Sequence, residues 1–303
     1  MKSKLELLEI TSNSSTIAPM IPPTEWTELG ERIVEKVGIA LVIGKTDAGK
    51  STLIRYLLRL ALDRGRRVAV VDADVGQASF GPPTCMSLTL WPEFSPAAAD
   101  VRPILRFIGS TSPVGHLLQV VVGVKLLVER AQMSKAGLIL IDTSGMVQGP
   151  LGTLLKRHKV ELVHPTHLLV LQKAREMEGL LNRMHLTLAT KVNRLPVSPQ
   201  SRSRSSAERR AYRQQRFAAY FQDIPARWIN LSHPRRLLSG FSPSTGRLLG
   251  LLDASGGTLG LGVIRRCGSG RLELITPVTS LDAIRVLQPA RIRLGRDWNE
   301  ASV

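Results

Sequence analysis

An α/β fold is what the sequence predicts: a mostly parallel sheet flanked by helices, an Arg-rich helix placed as a lid, and a small C-terminal β-domain. Three observations predict it. Four short apolar runs rich in β-branched residues, VGIALVI, RVAVVDAD, AGLILID and THLLVLQ, lie between residues 37 and 172, each of strand length. The first enters a glycine-rich loop and then the helical repeat Thr52–Leu62, as in a βα unit. Beyond Pro196 the composition changes to a Ser/Arg linker and helix, and then to alternating strands with Gly turns, the pattern of an appended β-domain.

The first strand, residues 37–43, runs into Gly44-Lys45-Thr46-Asp47-Ala48-Gly49-Lys50-Ser51, with Thr52 next. This matches G-x-x-x-x-G-K-[ST] in the strand–loop–helix context that the motif requires. Backbone N–H groups of such a loop turn inward around a β-phosphate, and the helix N-terminus adds a favourable dipole. Residues 44–52 are therefore the predicted nucleotide cradle, with Lys50 bridging β- and γ-phosphates and the Ser51 hydroxyl a ligand for Mg²⁺. The fold predicted is that of a P-loop NTPase.

The second strand, residues 67–74, ends in Asp72 and Asp74 at the sheet edge where ligands sit in open α/β folds. Two residues apart, the two carboxylates point to one face. One can hold Mg²⁺ through water and the other can take a proton from an acceptor hydroxyl; the spacing does not assign them, and a turn cap is the alternative for either. Gln77 follows in the loop that leaves the strand. The next apolar run, residues 136–142, leads into Thr143-Ser144-Gly145, so Asp142–Gly145 fits the DxxG of a GTPase. Its base-reading partner would be Thr190-Lys191-Val192-Asn193, whose terminal amide cannot accept from both guanine donors. The sequence therefore disfavours GTP.

Residues 196–206 read PVSPQSRSRSS and precede the helical stretch AERRAYRQQRFAAYF, with Arg202, Arg204, Arg209, Arg210, Arg213 and Arg216 crowded together. Arg209, Arg213 and Arg216 share a helical face by their i, i+4, i+7 spacing. The stretch is either a solvated basic helix or a mobile lid on a Ser-rich hinge, whose arginines neutralise charge on a transferred phosphoryl group. Charge supports a polyanionic partner: 41 Lys and Arg against 24 Asp and Glu give +17, and a cationic surface releases condensed counterions from nucleic acid. Cys85 and Cys267 share no metal-like spacing, which fits a reducing cytoplasm. His164 and His167 flank a strand and are read as structural. The N-terminus MKSKLELLEITSNS has no signal-peptide core, and no run of 18 apolar residues suggests a membrane span. A cytoplasmic protein is expected.

Taken in order, GKTDAGKST, VDADVGQASFGPP, FIGSTSP, IDTSGMVQG and the Arg-rich stretch ending AAYF resemble the polynucleotide 5′-hydroxyl kinase family. That family includes the pre-mRNA cleavage-complex kinase subunit and the pre-rRNA-processing kinases. The likeness covers about residues 35–222. It implies ATP and Mg²⁺ held by Lys50 and Ser51, Asp74 as base or metal-water ligand, and a substrate clasp at Thr111 and Ser112. It further implies lid arginines at Arg204 and Arg209 with Arg213 in support, and Gln77 as a substrate contact. Where the family carries a base-stacking Trp in NTxGW, this chain has Met146. Residues 1–34 are too few for the N-terminal β-domain of eukaryotic relatives, so a compact prokaryotic form is expected.

The expected organisation is an extension (1–34), a kinase domain (35–225, lid about 200–221) and a β-rich C-terminal domain (226–303). The activity implied is transfer of the γ-phosphate of ATP to a 5′-hydroxyl end of RNA or DNA. Two other classes stay open: a kinase of a small-molecule hydroxyl, and a nucleotide-switched scaffold in nucleic-acid processing.

Overall fold

The computed structural model describes residues 21–91, 102–232, 236–237 and 241–303; the stretch 1–14 discussed above lies outside the described residues. Two compact units emerge. The first comprises residues up to Asp74, 87–103 and 117–203; the second comprises 75–86, 104–116 and 204–303.

The first unit is built on apolar strands that are buried on both faces. In chain order it has helix α1 (Thr24–Val34), β1 (Gly38–Gly44), α2 (Lys50–Asp63) and β2 (Val68–Ala73). Then come β3 (Cys85–Trp91, its residues 87–91 in this unit), α3 (Leu117–Met133), β5 (Leu138–Thr143) and α4 (Gly149–Val163). It closes with β6 (His167–Gln172), a short α5 (Glu178–Leu181) and β7 (Lys191–Pro196). The strand order is β3-β2-β5-β1-β6-β7. All neighbours pair in parallel except β3, which runs antiparallel to β2. The expected sheet is therefore present, as a mixed sheet with a parallel core flanked by helices.

Continuous runs such as Ala40–Ile43 and Leu168–Leu171 are fully buried, as strands covered by helices on both faces must be. Trp26 on α1 is also fully buried, and its Nε1 donates to Pro196 O at 2.9 Å, tying α1 to the end of β7. β7 begins at Lys191, so the Thr190–Asn193 stretch weighed as a guanine reader is strand backbone instead.

The second unit holds β4 (Ile104–Phe107), α6 (Ser206–Phe221) and β8 (Ala226–Asn230), and then the short β9 (Arg236–Leu237). Next come β10 (Arg247–Leu252), β11 (Thr258–Gly268), β12 (Arg271–Ile275), β13 (Val286–Leu294) and β14 (Glu300–Ser302). β10 pairs antiparallel with β11 and β13, β12 with β11 and β8, and β14 with β13. The expected β-rich C-terminal region is thus an antiparallel meander with added strands.

Helix α6 starts at a capping box, in which Glu208 N–H donates to the Ser205 hydroxyl and Ser205 N–H to the Glu208 carboxylate. Its C-terminal half is sunk into the unit. Phe217 and Phe221 are 0% and 1% exposed among Phe107, Leu248, Leu261 and Ile292, and Phe221 stacks on Trp298 at 5.1 Å. Withdrawing both rings costs about 3–6 kcal/mol of buried apolar surface. Helix α6 is thus a member of this unit's core. From Arg204 onward the chain belongs to the second unit.

Candidate active site

The carboxyl ends of β1, β2, β5 and β6 bring the reactive residues of the first unit together, as expected at the ligand edge of an open α/β sheet. Leaving β1, the loop from Gly44 carries Lys45–Ala48 to Gly49, which adopts φ +84°, a left-handed conformation that glycine takes without a Cβ penalty. Helix α2 then begins at Lys50 with no side-chain cap on its N-terminus, leaving those N–H groups directed at an anion. Lys50 is 6% exposed and its Nζ donates to Lys45 O at 2.7 Å, which holds the ammonium inside the loop. Ser51 and Thr52, half-buried, form the first turn of α2.

Asp142, at the end of β5, accepts a hydrogen bond from the Ser51 hydroxyl. It is 1% exposed, and its Oδ1 has no hydrogen-bond partner among the described residues. Burial pushes its carboxyl up, and the Ser51 hydrogen bond and the Lys50 charge oppose that shift. A buried carboxylate oxygen left bare beside a P-loop serine is the donor set that Mg²⁺ and its waters satisfy. The residues thus fit the cation, with Ser51 and Asp142 to hold it. Asp142 entered the sequence reading only through the DxxG pattern; the hydrogen bond to Ser51 is what marks it.

Asp72, buried, accepts from the Asp74 N–H at 3.1 Å, the geometry of the turn cap given above as one of its readings. Asp74 lies one residue past β2 and is half-buried, and its charge is felt at Asp142. Two lysines escaped sequence reasoning altogether. Lys156 and Lys159 on α4 are both fully buried. Burial lowers both, Lys159 to about 8, and the charges of Asp74 and Asp142 act against the drop in each.

Gly145 presses directly on the phosphate loop: a Cβ there would lie 2.4 Å from Thr46 Cα and 2.5 Å from Thr46 N. Gly145→Ala is expected to force the 143–146 turn away from the loop, costing about 1–3 kcal/mol of stability and raising KM for ATP. Urea denaturation and ATP saturation curves check both effects. Met146, half-buried, follows on this turn.

A cavity of about 310 Å³ opens beside the loop, walled by Lys45–Ala48, by Lys173 and Glu176 after β6, and by Val197 and 201–203 after β7. The Glu176 carboxylate accepts from the Lys173 and Ala174 N–H groups at 3.0 and 2.9 Å, which fixes that wall. No pattern in the sequence announces this pocket, because three separate loops build it.

The second unit holds the other predicted residues. Gln77 Nε2 donates to Gly76 O and to Arg209 O on α6, and the Tyr212 hydroxyl donates to Ala78 O at 2.9 Å. Arg216 reaches Gly81 O at 2.9 Å, so α6 clamps the loop that carries Gln77. Arg204 lies over the Tyr212 ring at 5.8 Å. Arg213 is paired through two nitrogens with Glu300, the Nε–Oε1 bond at 2.8 Å, with both side chains largely buried; it anchors α6. Thr111 and Ser112 sit in a loop closed by Val114 N–H donating to the Ser112 hydroxyl at 3.2 Å, with Ser112 exposed.

Known proteins resemble the chain over most of its length. A family model described as mRNA cleavage and polyadenylation factor CLP1 P-loop matches residues 44–223. The chain is 30% identical to a polyribonucleotide 5′-hydroxyl-kinase of Pyrococcus furiosus, across 87% of this chain and 89% of the relative. It is also 30% identical to the corresponding kinase of Thermococcus kodakarensis, across 86% and 89%. Among solved structures it is similar to wild-type Clp1p in complex with a Pcf11p segment. The TM-score is 0.69 at 14% identity, covering 91% of this chain and 81% of that one, a likeness of fold. Among the described residues no helix is long and apolar enough to cross a membrane.

Proposed function

The chain belongs to the CLP1 P-loop family, and from that premise we infer that it is a polynucleotide 5′-hydroxyl kinase, moving the γ-phosphate of ATP to the 5′-hydroxyl end of RNA or DNA. The observation that carries the reading is the bare Asp142 carboxylate oxygen beside Ser51 in an intact phosphate loop. A loop that merely stabilises the fold has no use for a buried, half-satisfied carboxylate.

In the proposed reaction the P-loop backbone and Lys50 cradle the triphosphate, and the 310 Å³ cavity takes the nucleoside. Ser51 and Asp142 would hold Mg²⁺, which would supply charge neutralisation to the triphosphate. Asp74 accepts the proton of the 5′-hydroxyl as its oxygen bonds to the γ-phosphorus; the bond to the β–γ bridging oxygen breaks and ADP leaves. Asp72 orients Asp74 through its N–H. Arg204 and Arg209 neutralise charge on the transferred group, with Arg213 supporting them by anchoring α6 to Glu300. Gln77, Thr111, Ser112 and Met146 contact the acceptor strand. The archaeal relatives are named for polyribonucleotides, which favours RNA as the acceptor.

The test is transfer of labelled γ-phosphate to RNA and DNA oligonucleotides with 5′-hydroxyl ends, with 5′-phosphorylated ends as controls. Transfer to the hydroxyl ends alone is expected. ATP hydrolysis without transfer to either polymer would instead make this a nucleotide-switched scaffold. With Met146 on the clasp turn, the base-stacking grip of a Trp, worth roughly 1–3 kcal/mol, is missing, because a thioether cannot stack as a ring does. Oligonucleotide binding should therefore lean on the +17 charge and weaken steeply with salt. Met146→Trp is expected to lower KM for the oligonucleotide severalfold and leave KM for ATP unchanged. An unaltered oligonucleotide KM would remove Met146 from the acceptor site.

A further inference from the structure

Helix α4 places an amine where the phosphate loop and the clasp turn meet. Lys156, fully buried, donates from Nζ to Thr143 Oγ1 at 2.8 Å and to Ser144 O at 2.5 Å. The Thr143 hydroxyl, fully buried too, donates onward to Val42 O at 2.7 Å. Val42 lies in β1 two residues ahead of Gly44, and Ser144 precedes Gly145, which rests on Thr46. Three residues along the same helix, Lys159 Nζ reaches Ala73 O at 3.5 Å, next to Asp74.

We propose that Lys156 is a positioning residue for the kinase reaction, pinning the 143–146 turn to the β1–phosphate loop junction so that the donor cradle and the Met146 clasp keep one register. The inference rests on the kinase reading. It stands on geometry: one nitrogen holds both Ser144 O and the Thr143 hydroxyl that reaches Val42 O, and does so without touching the cradle. The interaction needs donors only, so it holds whether the amine is protonated or neutral. An amine buried this completely costs free energy that an apolar side chain would not. Its place in the network is what offsets that cost. Loosening a reactive register by about 1 Å can lower a rate on the order of 10²-fold.

The experiment compares Lys156→Met, Thr143→Val and the double variant with wild type. Lys156→Met keeps an unbranched chain and removes both hydrogen bonds. The expected result is an unchanged or raised Tm, a kcat about tenfold or more below wild type, and KM for ATP within about threefold. Thr143→Val breaks the same link from the other side, so the double variant should be no slower than the worse single one. Independently of activity, hydrogen exchange of the 144–147 amides should quicken about tenfold in Lys156→Met, with other strand ends unaffected. A folded Lys156→Met with kcat within twofold of wild type and unaltered exchange overturns the proposal, as does full additivity in the double variant. Should Lys156→Met fail to fold, Thr143→Val decides alone by the same two measurements. Absence of transfer by the wild type would count against the kinase reading, and the exchange measurement would still judge the pin.

Discussion

Lys50→Ala is expected to lower phosphoryl transfer by about 10²–10³-fold or more while leaving the protein folded. The ammonium is held inside the loop by its bond to Lys45 O at 2.7 Å, where it meets the charge of a bound triphosphate without rearranging. That preorganisation makes a single donor so valuable in the transition state. The stability cost is small by comparison. Each hydrogen bond lost with the Lys50 amine is worth about 0.5–1.5 kcal/mol, and no large apolar side chain is truncated. Steady-state kinetics with thermal melts separate the two effects: kcat should collapse while Tm moves by a few degrees. A folded Lys50→Ala with undiminished turnover would end the kinase reading.

The first unit was legible because its signals are local. Residues 37–52 carry strand, loop and helix in one stretch, and each element is specified by its own residues. Strand β3 was harder to read, since Ser87 and Thr89 are buried at 1% and 4% and break the apolar run that marks a covered strand. Helix α3 contains Val120–Val122, a β-branched cluster that argues for a strand as much as for a helix. The Lys-Arg-His-Lys run of α4 has the composition of a solvated face, yet Lys156 and Lys159 are fully buried. Helical spacing could not say so, because their partners lie outside the helix: the Thr143 hydroxyl and Ser144 O on the preceding turn, and Ala73 O on another strand. The same holds for Arg213. Helical spacing puts it on a face with Arg209 and Arg216, but Glu300, 87 residues away, fixes its role as an anchor.

Hydrogen bonds also bear on the carboxylates that the sequence left undivided. Asp72 and Asp74 share a face by alternation, and nothing in RVAVVDAD ranks them. The hydrogen bond from Asp74 N–H to Asp72 distinguishes them, and the proposed mechanism accordingly uses Asp72 as a support and Asp74 as the base. Asp142 joins them from another strand, and its contact with Ser51 is why the proposed mechanism gives it the metal. The charges of Asp74 and Asp142 in turn act against the burial-driven drop of both lysines on α4.

Asp74→Asn and Asp142→Asn should therefore fail in different ways. An amide at position 74 cannot take the hydroxyl proton, so kcat should fall by about 10²–10⁴-fold, with KM for ATP and the Mg²⁺ concentration for half-maximal rate unchanged. An amide at 142 still accepts from the Ser51 hydroxyl but loses the negative charge that draws the cation. The Asp142→Asn protein should accordingly need roughly tenfold more Mg²⁺, and excess Mg²⁺ should restore part of its rate. Asp72→Asn keeps an acceptor for the Asp74 N–H and should be the mildest of the three. Titrating Mg²⁺ against initial rate for all three variants makes the comparison. If Asp74→Asn shifts the Mg²⁺ requirement and Asp142→Asn does not, the metal belongs to the β2 end of the sheet, and the proton must be taken by another group.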